Sequence, residues 1–199
     1  MLPKISMMTQ TDGTTFIDLF EEKNLRVWNP GRMIFCFDHF FQPEWMTIVA
    51  SKEHGKIRAF AKAQGVPIEN IYDVGRNGIS HHIPVEQGWA LPGTVCVGAD
   101  TQSSTMGAVN CFALPVLFGV DPVVLTGDIW MEVPEAIRVH LTGALGHGMT
   151  GKDLVYRLIQ DLGDEVNGRV LEFSGPGVAS LSIDVRMAIA NGAVQLGSL

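Results

Sequence analysis

TVCVGADTQSSTMGAVNCFA, residues 94–113, is the stretch of this sequence that decides its fold. It opens with an apolar run that predicts a buried strand, and a polar string follows at once from Asp100 onward. The small residues of MGAVNCFALPVLFG, at 106–119, then predict a closely packed helix. A strand, a polar turn and a helix in succession form the repeating unit of a parallel sheet. The stretch therefore predicts an α/β protein.

The same alternation of strands and helices extends over the rest of the chain. Upstream, strands are predicted for MIFCF at 33–37 and for the apolar segment ending at residue 74, and helices for 14–24 and 51–64. Downstream, the pattern predicts two strands joined by a turn near Pro134, a helix over 151–163 capped by Thr150, a strand over 168–175 and a helix over 179–197.

This order predicts a mostly parallel sheet flanked by helices. The pattern changes after Gly119, so we expect an α/β lobe over residues 1–120 and a second α/β lobe over 121–199 that packs on it. No linker marks the boundary, and one continuous domain is the alternative.

Composition and charge exclude several classes of protein. The 199 residues are 46% hydrophobic and 18% charged, a balance that excludes intrinsic disorder. The formal net charge of −7 argues against a nucleic-acid surface, which would need clustered Lys and Arg. Apolar runs stay below the roughly 18 residues of a membrane span, and the N-terminal residues lack the apolar core of a secretory signal. We therefore expect a cytoplasmic protein that binds neither nucleic acid nor membrane.

The cysteines predict buried thiols and no metal centre. Cys36, Cys96 and Cys111 lie in apolar strings and show no CxxC or CxH spacing. Their odd number argues against a disulfide framework and favours a reducing compartment. We expect no metal ligands among them.

Polar residues follow three apolar or glycine-rich segments, where a parallel α/β sheet binds its ligands. Asp38 and His39 follow MIFCF, His81 follows a glycine-rich turn, and the string from Asp100 to Ser103 follows TVCVG. A histidine titrates near neutral pH, so these groups could act as general acid and base. The alternative is that they form turns and helix caps, a role that suits Asp100 and Ser103.

Several segments resemble the aconitase superfamily, most closely the large subunit of 3-isopropylmalate dehydratase and homoaconitase. The matching motifs, in the order of the family, are FDH at 37–39, GISHHIPVEQGWALPGTVCVGADTQSSTMGAVNCFA at 78–113, LTGDIWMEVPEAIRVHLTGALGHGMTGKDLVYRLIQDLG at 125–163, LEFSG at 171–175 and RMAIAN at 186–191. Together they extend the resemblance from about Thr11 to Gly197, which is nearly the whole chain.

The resemblance implies a fold, an activity and a set of site residues. It implies a fold similar to the first domains of aconitase. Family members are hydro-lyases that move a hydroxyl between neighbouring carbons of a di- or tricarboxylate, using a four-iron–four-sulfur cluster as Lewis acid. The positions that match the family's site are Asp38, His39, His81, Asp100, Thr101, Gln102, Asn191 and Gln195.

The chain also departs from the family pattern at its site. Gln102 stands where the pattern has His, and Gln195 stands where it has Glu. The family's cluster cysteines and its small substrate-binding domain fall outside the matched stretch. We therefore expect no cofactor in this chain, and a 4Fe–4S cluster only if a partner chain supplies the cysteines.

These departures predict a repurposed enzyme that uses no cluster. It would act on a small carboxylate-bearing molecule by elimination or isomerisation, with His39 or His81 as acid or base, and with Asp38 and Asp100 beside them. The residues expected to bind the substrate are Thr101, Gln102, Ser103, Asn191 and Gln195.

Two other functions stay open. The chain could be one subunit of a split 4Fe–4S hydro-lyase that needs a partner chain, or a non-catalytic binding or regulatory remnant. In either case we expect a homodimer or another oligomer, because self-association would cover the faces that the family's other domains cover.

Overall fold

The computed structural model describes residues 4–8, 14–39, 42, 44, 46–116 and 119–199. Of residues 4–8 and of Thr15 it describes the backbone alone. No helix among these residues is long and apolar enough to cross a membrane.

Five strands form the first sheet, and all their pairings are parallel. They are β1 (Lys4–Met8), β2 (Met33–Cys36), β3 (Ile71–Tyr72), β4 (Val95–Gly98) and β5 (Phe112–Pro115), and their order across the sheet is β3-β2-β1-β4-β5. The chain therefore moves outward from β1 to β3 and then crosses back to β4 on the other side of β1. In sheets of this kind the ligand crevice lies where the order reverses, at the carboxyl ends of β1 and β4.

Seven α-helices accompany the strands in the described part of the chain. They are α1 (Thr15–Glu22), α2 (Ile48–Gln64), α3 (Ile83–Glu86), α4 (Asp121–Thr126), α5 (Gly151–Leu162), α6 (Pro176–Ala179) and α7 (Ile183–Ala193). The 3-10 helices span Pro30–Arg32, Ile68–Asn70, Thr101–Val109, Gly163–Val166 and Val194–Leu196. The predicted mostly parallel α/β fold with flanking helices is confirmed.

The first sheet is buried on both faces. Phe35 points into a core with the aromatic residues of α1 and with Phe60 of α2, whereas Ile34 of the same strand packs on the opposite face with Tyr72 and Ile83. Successive side chains of a strand point to opposite faces, so a continuous apolar run such as MIFC requires cover on both sides. Because both faces of the sheet are packed, the carboxyl ends of β2 and β4 are held in fixed positions.

The second sheet contains β6 (Ala136–His140) and β7 (Val170–Ser174), which also pair in parallel. One face carries Ile137, Val139 and Phe173 toward α5 and α7, and the other face is exposed. Thr150 caps α5 as predicted, because its side chain and that of Asp153 form a reciprocal capping box.

Three element predictions were wrong. The helix predicted over 106–119 is absent from its described residues, because the 3-10 helix Thr101–Val109 ends at Asn110 in the left-handed conformation and β5 follows. The first strand predicted before Pro134 is instead helix α4, which Pro122 starts and Gly127 ends. Helix α2 begins at Ile48 rather than at residue 51, because the Thr47 side chain accepts from the Ala50 N–H.

Segments on both sides of residue 120 meet at one place. Helix α7 packs against the 3-10 helix Thr101–Val109. The division into lobes at 120 stays a prediction, and both predicted lobes contribute residues to the site described next.

Candidate functional site

The first part of the site follows β2. The Asp38 carboxylate is nearly buried, with 6% of its side chain exposed. Its Oδ1 lies 2.7 Å from Nδ1 of His39, and its Oδ2 accepts a hydrogen bond of 2.9 Å from the Ser80 backbone N–H. Asp38 therefore orients the His39 ring and also anchors the turn that presents His81.

The second part follows β4. Oδ1 of Asp100 lies 3.4 Å from Nδ1 of His81, at ion-pair distance but without hydrogen-bond alignment. The same oxygen accepts a hydrogen bond of 2.6 Å from the Gln102 N–H and so caps the 3-10 helix. Burial opposes ionisation of Asp100, but His81 and the Gln102 N–H outweigh it and hold the pKa of this carboxyl below its usual range. Asp100 is thus both a helix cap and the partner of a histidine.

The 3-10 helix Thr101–Val109 sits directly on the end of β4. Ser103 is 2% exposed and packs against Gly98, where an added Cβ would come within 2.0 Å of the Ser103 Oγ. Thr101 is exposed at the start of the helix. Only glycine at position 98 permits this approach, which fixes the height of the helix above the sheet.

Amides of α7 and the turn after it form the third part of the site. Asn191 donates from Nδ2 to the Thr105 Oγ1 at 3.0 Å, and Thr105 donates in turn to the Gln102 carbonyl at 2.7 Å. In the amide orientation that satisfies both of its polar atoms, Gln195 accepts from the Gln102 Nε2 at 3.1 Å. The sequence-predicted residues from 38 to 195 are therefore linked to the strand ends through short contacts.

Three residues of this region were not predicted to take part. Ser80 contributes its backbone N–H, and Thr105 contributes its hydroxyl. The ring of His82 lies 5.0 Å from that of His81, and burial followed by the nearby His81 lowers the pKa of His82. Of these residues, only His82 could have been found from the sequence, because it is the neighbour of His81.

His54, on α2, contacts the residues at the end of β2 that lead into the site. It is buried on α2, its ring stands edge-on to Phe37 at 5.1 Å, and it hydrogen-bonds the backbone of His39. Burial, followed by the charge of Arg58, lowers the pKa of His54. These contacts give His54 a structural role beside the site.

The described cysteines do not fit an iron–sulfur cluster. Cys36 and Cys96 lie within β2 and β4, and Cys111 donates from Sγ to the Met106 carbonyl at 2.9 Å. Burial raises the pKa of Cys36, and contact with Cys96 followed by burial raises that of Cys111, so both stay thiols. Cluster ligands are thiolates, and no group of three or more ligand side chains converges in the described residues.

A separate cavity of about 740 Å³ opens at the other end of β4. It lies between β5, β7 and α7, and its walls include Val95, Phe112, Leu171 and Ile189. None of Asp38, His39, His81 and Asp100 lines it. The two carboxylate–histidine pairs therefore lie at the carboxyl ends of the strands and not in this cavity, whose charged lining residues are Glu172 and Arg186.

Two carboxylate–imidazole pairs at the carboxyl ends of parallel strands define a site suited to proton transfer. Comparison with known proteins assigns the family. A sequence model of the Aconitase family (aconitate hydratase) matches residues 2–199. The chain belongs to the aconitase family.

Individual relatives match over nearly the whole chain. The 3-isopropylmalate dehydratase large subunit 1 of Methanopyrus kandleri is 34% identical over 98% of this chain and 46% of its own length. The probable methanogen homoaconitase large subunit of Methanosarcina mazei is 34% identical over 100% of this chain and 51% of its own. The mitochondrial homoaconitase of Mycosarcoma maydis is 35% identical over 87% of this chain and 23% of its own. The chain thus spans about half, or less, of the length of these relatives.

Proposed function

We propose that this chain is a lyase or isomerase that acts on a small hydroxy acid by proton transfer, without a cluster of its own. The observation that carries the proposal is the pair of carboxylate–imidazole contacts, Asp38–His39 and His81–Asp100, on either side of β1. Relatives named as dehydratases support the reaction class.

The proposed reaction removes water from two neighbouring carbons. One imidazole takes the proton from the carbon beside the carboxylate, and the electron pair of that C–H bond forms the double bond. The C–O bond at the next carbon breaks, and the leaving hydroxyl takes a proton from the second imidazole to become water. Re-addition of water in the opposite sense would complete an isomerisation.

The surroundings of the two histidines suggest different roles. His81 is more enclosed, with 14% of its side chain exposed against 41% for His39. Asp38 holds Nδ1 of His39 at 2.7 Å, and this contact fixes the orientation of the more exposed ring. We assign His39 to protonate the leaving hydroxyl and His81 to remove the carbon-bound proton. The amides of Gln102 and Asn191 would hold the substrate, and Gln195 would orient the amide of Gln102.

Replacing each histidine tests this proposal. The variants His39→Gln and His81→Gln are assayed with malate, following the ultraviolet absorbance of the conjugated product, beside His147→Gln in an exposed loop as control. General acid–base catalysis contributes about 10²–10⁴-fold, so each site variant should lose at least about 100-fold in kcat. Rates unchanged by both substitutions would overturn the proposal, and a wild-type protein without turnover would favour the non-catalytic alternative.

A second candidate is one chain of a split 4Fe–4S hydro-lyase. One observation favours it: Trp130 and Val133 are 92% and 89% exposed. Large exposed apolar side chains close together mark surfaces that bind other proteins. A partner would then supply the cluster cysteines, and self-association through the same surface would produce the expected homodimer.

Anaerobic reconstitution of the purified chain with iron and sulfide separates the candidates. A folded, iron-free protein that dehydrates malate supports the first proposal, and stoichiometric iron bound by the chain alone overturns it. Sedimentation velocity of the same sample, beside Trp130→Ser, distinguishes a homodimer from a monomer that awaits a different partner.

A further inference from the structure

Gln102 and Gln195, which replace the His and the Glu of the family pattern, touch each other. The Gln102 Nε2 donates to the Gln195 Oε1 at 3.1 Å, between the 3-10 helix Thr101–Val109 and the 3-10 helix Val194–Leu196 that follows α7. The two departures from the pattern are therefore one structural change, in which two amides stand where the pattern has an imidazole and a carboxylate.

Backbone carbonyls determine which end of each glutamine amide, oxygen or nitrogen, faces the other glutamine. The Gln195 amino group donates to the Asn191 carbonyl at 3.0 Å and to the Gly192 carbonyl at 3.3 Å. Carbonyls at the end of a helix only accept, so Gln195 must direct its amino group toward them and its Oε1 toward Gln102. Gln102 must then use its amino group for this contact.

Because the Gln102 amino group is used for Gln195, the Gln102 Oε1 remains as an acceptor that needs a hydrogen-bond donor. The atom is buried, and no described protein group donates to it. Buried acceptors are costly when unpaired, and a ligand carboxylate would place a second acceptor against this one. A ligand hydroxyl or amide N–H would instead satisfy it.

We call the hydrogen-bonded Gln195–Gln102 pair the relay. We propose that the relay makes this site select a substrate that places an amide or hydroxyl donor, and not a carboxylate, at the Gln102 Oε1. This inference rests on the proposed function, since it assumes that a small carboxylate-bearing molecule binds at the strand ends. Gln102 is the specificity-determining residue, and Gln195 is a positioning residue that acts through it.

Calorimetric binding of succinate and of its mono-amide, succinamate, to the full chain tests the inference. The two probes differ by one carboxylate-to-amide change, and neither has a hydroxyl to lose, so binding is measured at equilibrium. The wild-type protein should bind succinamate about tenfold or more tightly than succinate, because only the amide can donate to the Gln102 Oε1.

Two variants test whether the substrate preference depends on the orientation that Gln195 gives to Gln102 or on Gln102 alone. Gln102→Leu removes the acceptor, and Gln195→Leu keeps it but frees the Gln102 amide to rotate, so each should reduce the preference to about threefold or less. Gln160→Leu, on the exposed side of α5, is the matched control and should keep the wild-type preference. Circular dichroism checks that each variant folds, and Gln195→Leu still tests the relay if Gln102→Leu does not.

The outcomes distinguish this inference from the proposed function. Equal binding of the two probes, or tighter binding of succinate, overturns the inference while the histidine assay still supports the reaction. A preference for succinamate with no effect of the histidine variants on turnover supports the inference and overturns the reaction. Failure of both probes to bind the wild-type protein overturns the inference, and the malate assay then decides the reaction separately.

Discussion

The strand-end half of the site and its α7 half use different chemistry. At the strand ends, Asp38 and Asp100 each pair with a histidine and each also accept a backbone N–H, from Ser80 and Gln102. On the α7 side, neutral amides contact one another and the helix backbone. The titratable groups thus lie where the sheet orients them, while the side facing α7 carries neutral amides.

Both halves depend on one close contact, and Gly98→Ala should break it with the largest effect. The new Cβ would meet the Ser103 Oγ within 2.0 Å and lift the 3-10 helix from β4. Overpacking of this kind should lower the free energy of unfolding by about 3 kcal/mol, measured by urea denaturation. Gly55→Ala in α2 is the control, because nothing lies within 4 Å of its Cβ, and it should stabilise by about 1 kcal/mol. Equal effects of the two substitutions would contradict the packing argument.

Asp100→Asn tests the strand-end half alone. It removes the charge that faces His81 and weakens the cap on the Gln102 N–H, so we expect a loss of about 2 kcal/mol in stability at neutral pH. The folded-state pKa of Asp100 is depressed, so its contribution is present above the unfolded pKa of about 3.9 and is lost as pH falls through the folded value. Urea midpoints of the variant and the wild type should therefore converge at low pH. A difference that does not shrink at low pH would show that the loss is not electrostatic.

Thr105→Val tests the α7 half. It preserves the shape of the side chain but removes the acceptor of Asn191 and the donor to the Gln102 carbonyl. These bonds are neutral, so we expect a loss of about 1 kcal/mol, smaller than for Asp100→Asn. The comparison predicts that this loss is the same at neutral and acidic pH. A strong pH dependence would mean that the α7 half is coupled to a titrating group.

His82→Gln should have the smallest effect on stability. It extends the comparison of pH dependence between the two halves to a second titratable group at the strand ends. Burial, followed by the charge of His81, lowers the folded pKa of His82, so its contribution is complete above the unfolded pKa of about 6.5 and is lost as pH falls below it. The variant should lose less stability than the wild type when the pH falls from about 7.5 to 5.5. His147→Gln, in an exposed loop, should follow the wild type, and a His82 variant that does the same would refute the assignment.

Much of the fold was predictable because its signals are local. Continuous apolar runs such as MIFCF predicted buried strands, and the structure confirms the helix end predicted at residue 64 and the helix start predicted at Thr150. Asp38, His39, His81 and Asp100 were predicted to gather because carboxyl ends of parallel strands share one edge of a sheet. Their catalytic roles remain a proposal.

The wrong predictions also have local causes. The run VVLTG fits a strand by its β-branched residues, and the proline and glycine around it make it the short helix α4. Small residues near 106 fit a helix, but Asn110 adopts the left-handed conformation and the chain turns into β5. In each case, a turn residue outweighed the preference of its neighbours.

The sequence by itself determined the alternation of strands and helices, the polar ends of the strands and the two glutamines that depart from the family pattern. Only the tertiary structure decided that β1 lies between β2 and β4, and that Gln102 meets Gln195. Strand order depends on long-range packing, and the two glutamines lie on different elements that meet only when α7 docks. The direction of their hydrogen bonds follows from helix carbonyls whose position no local pattern encodes.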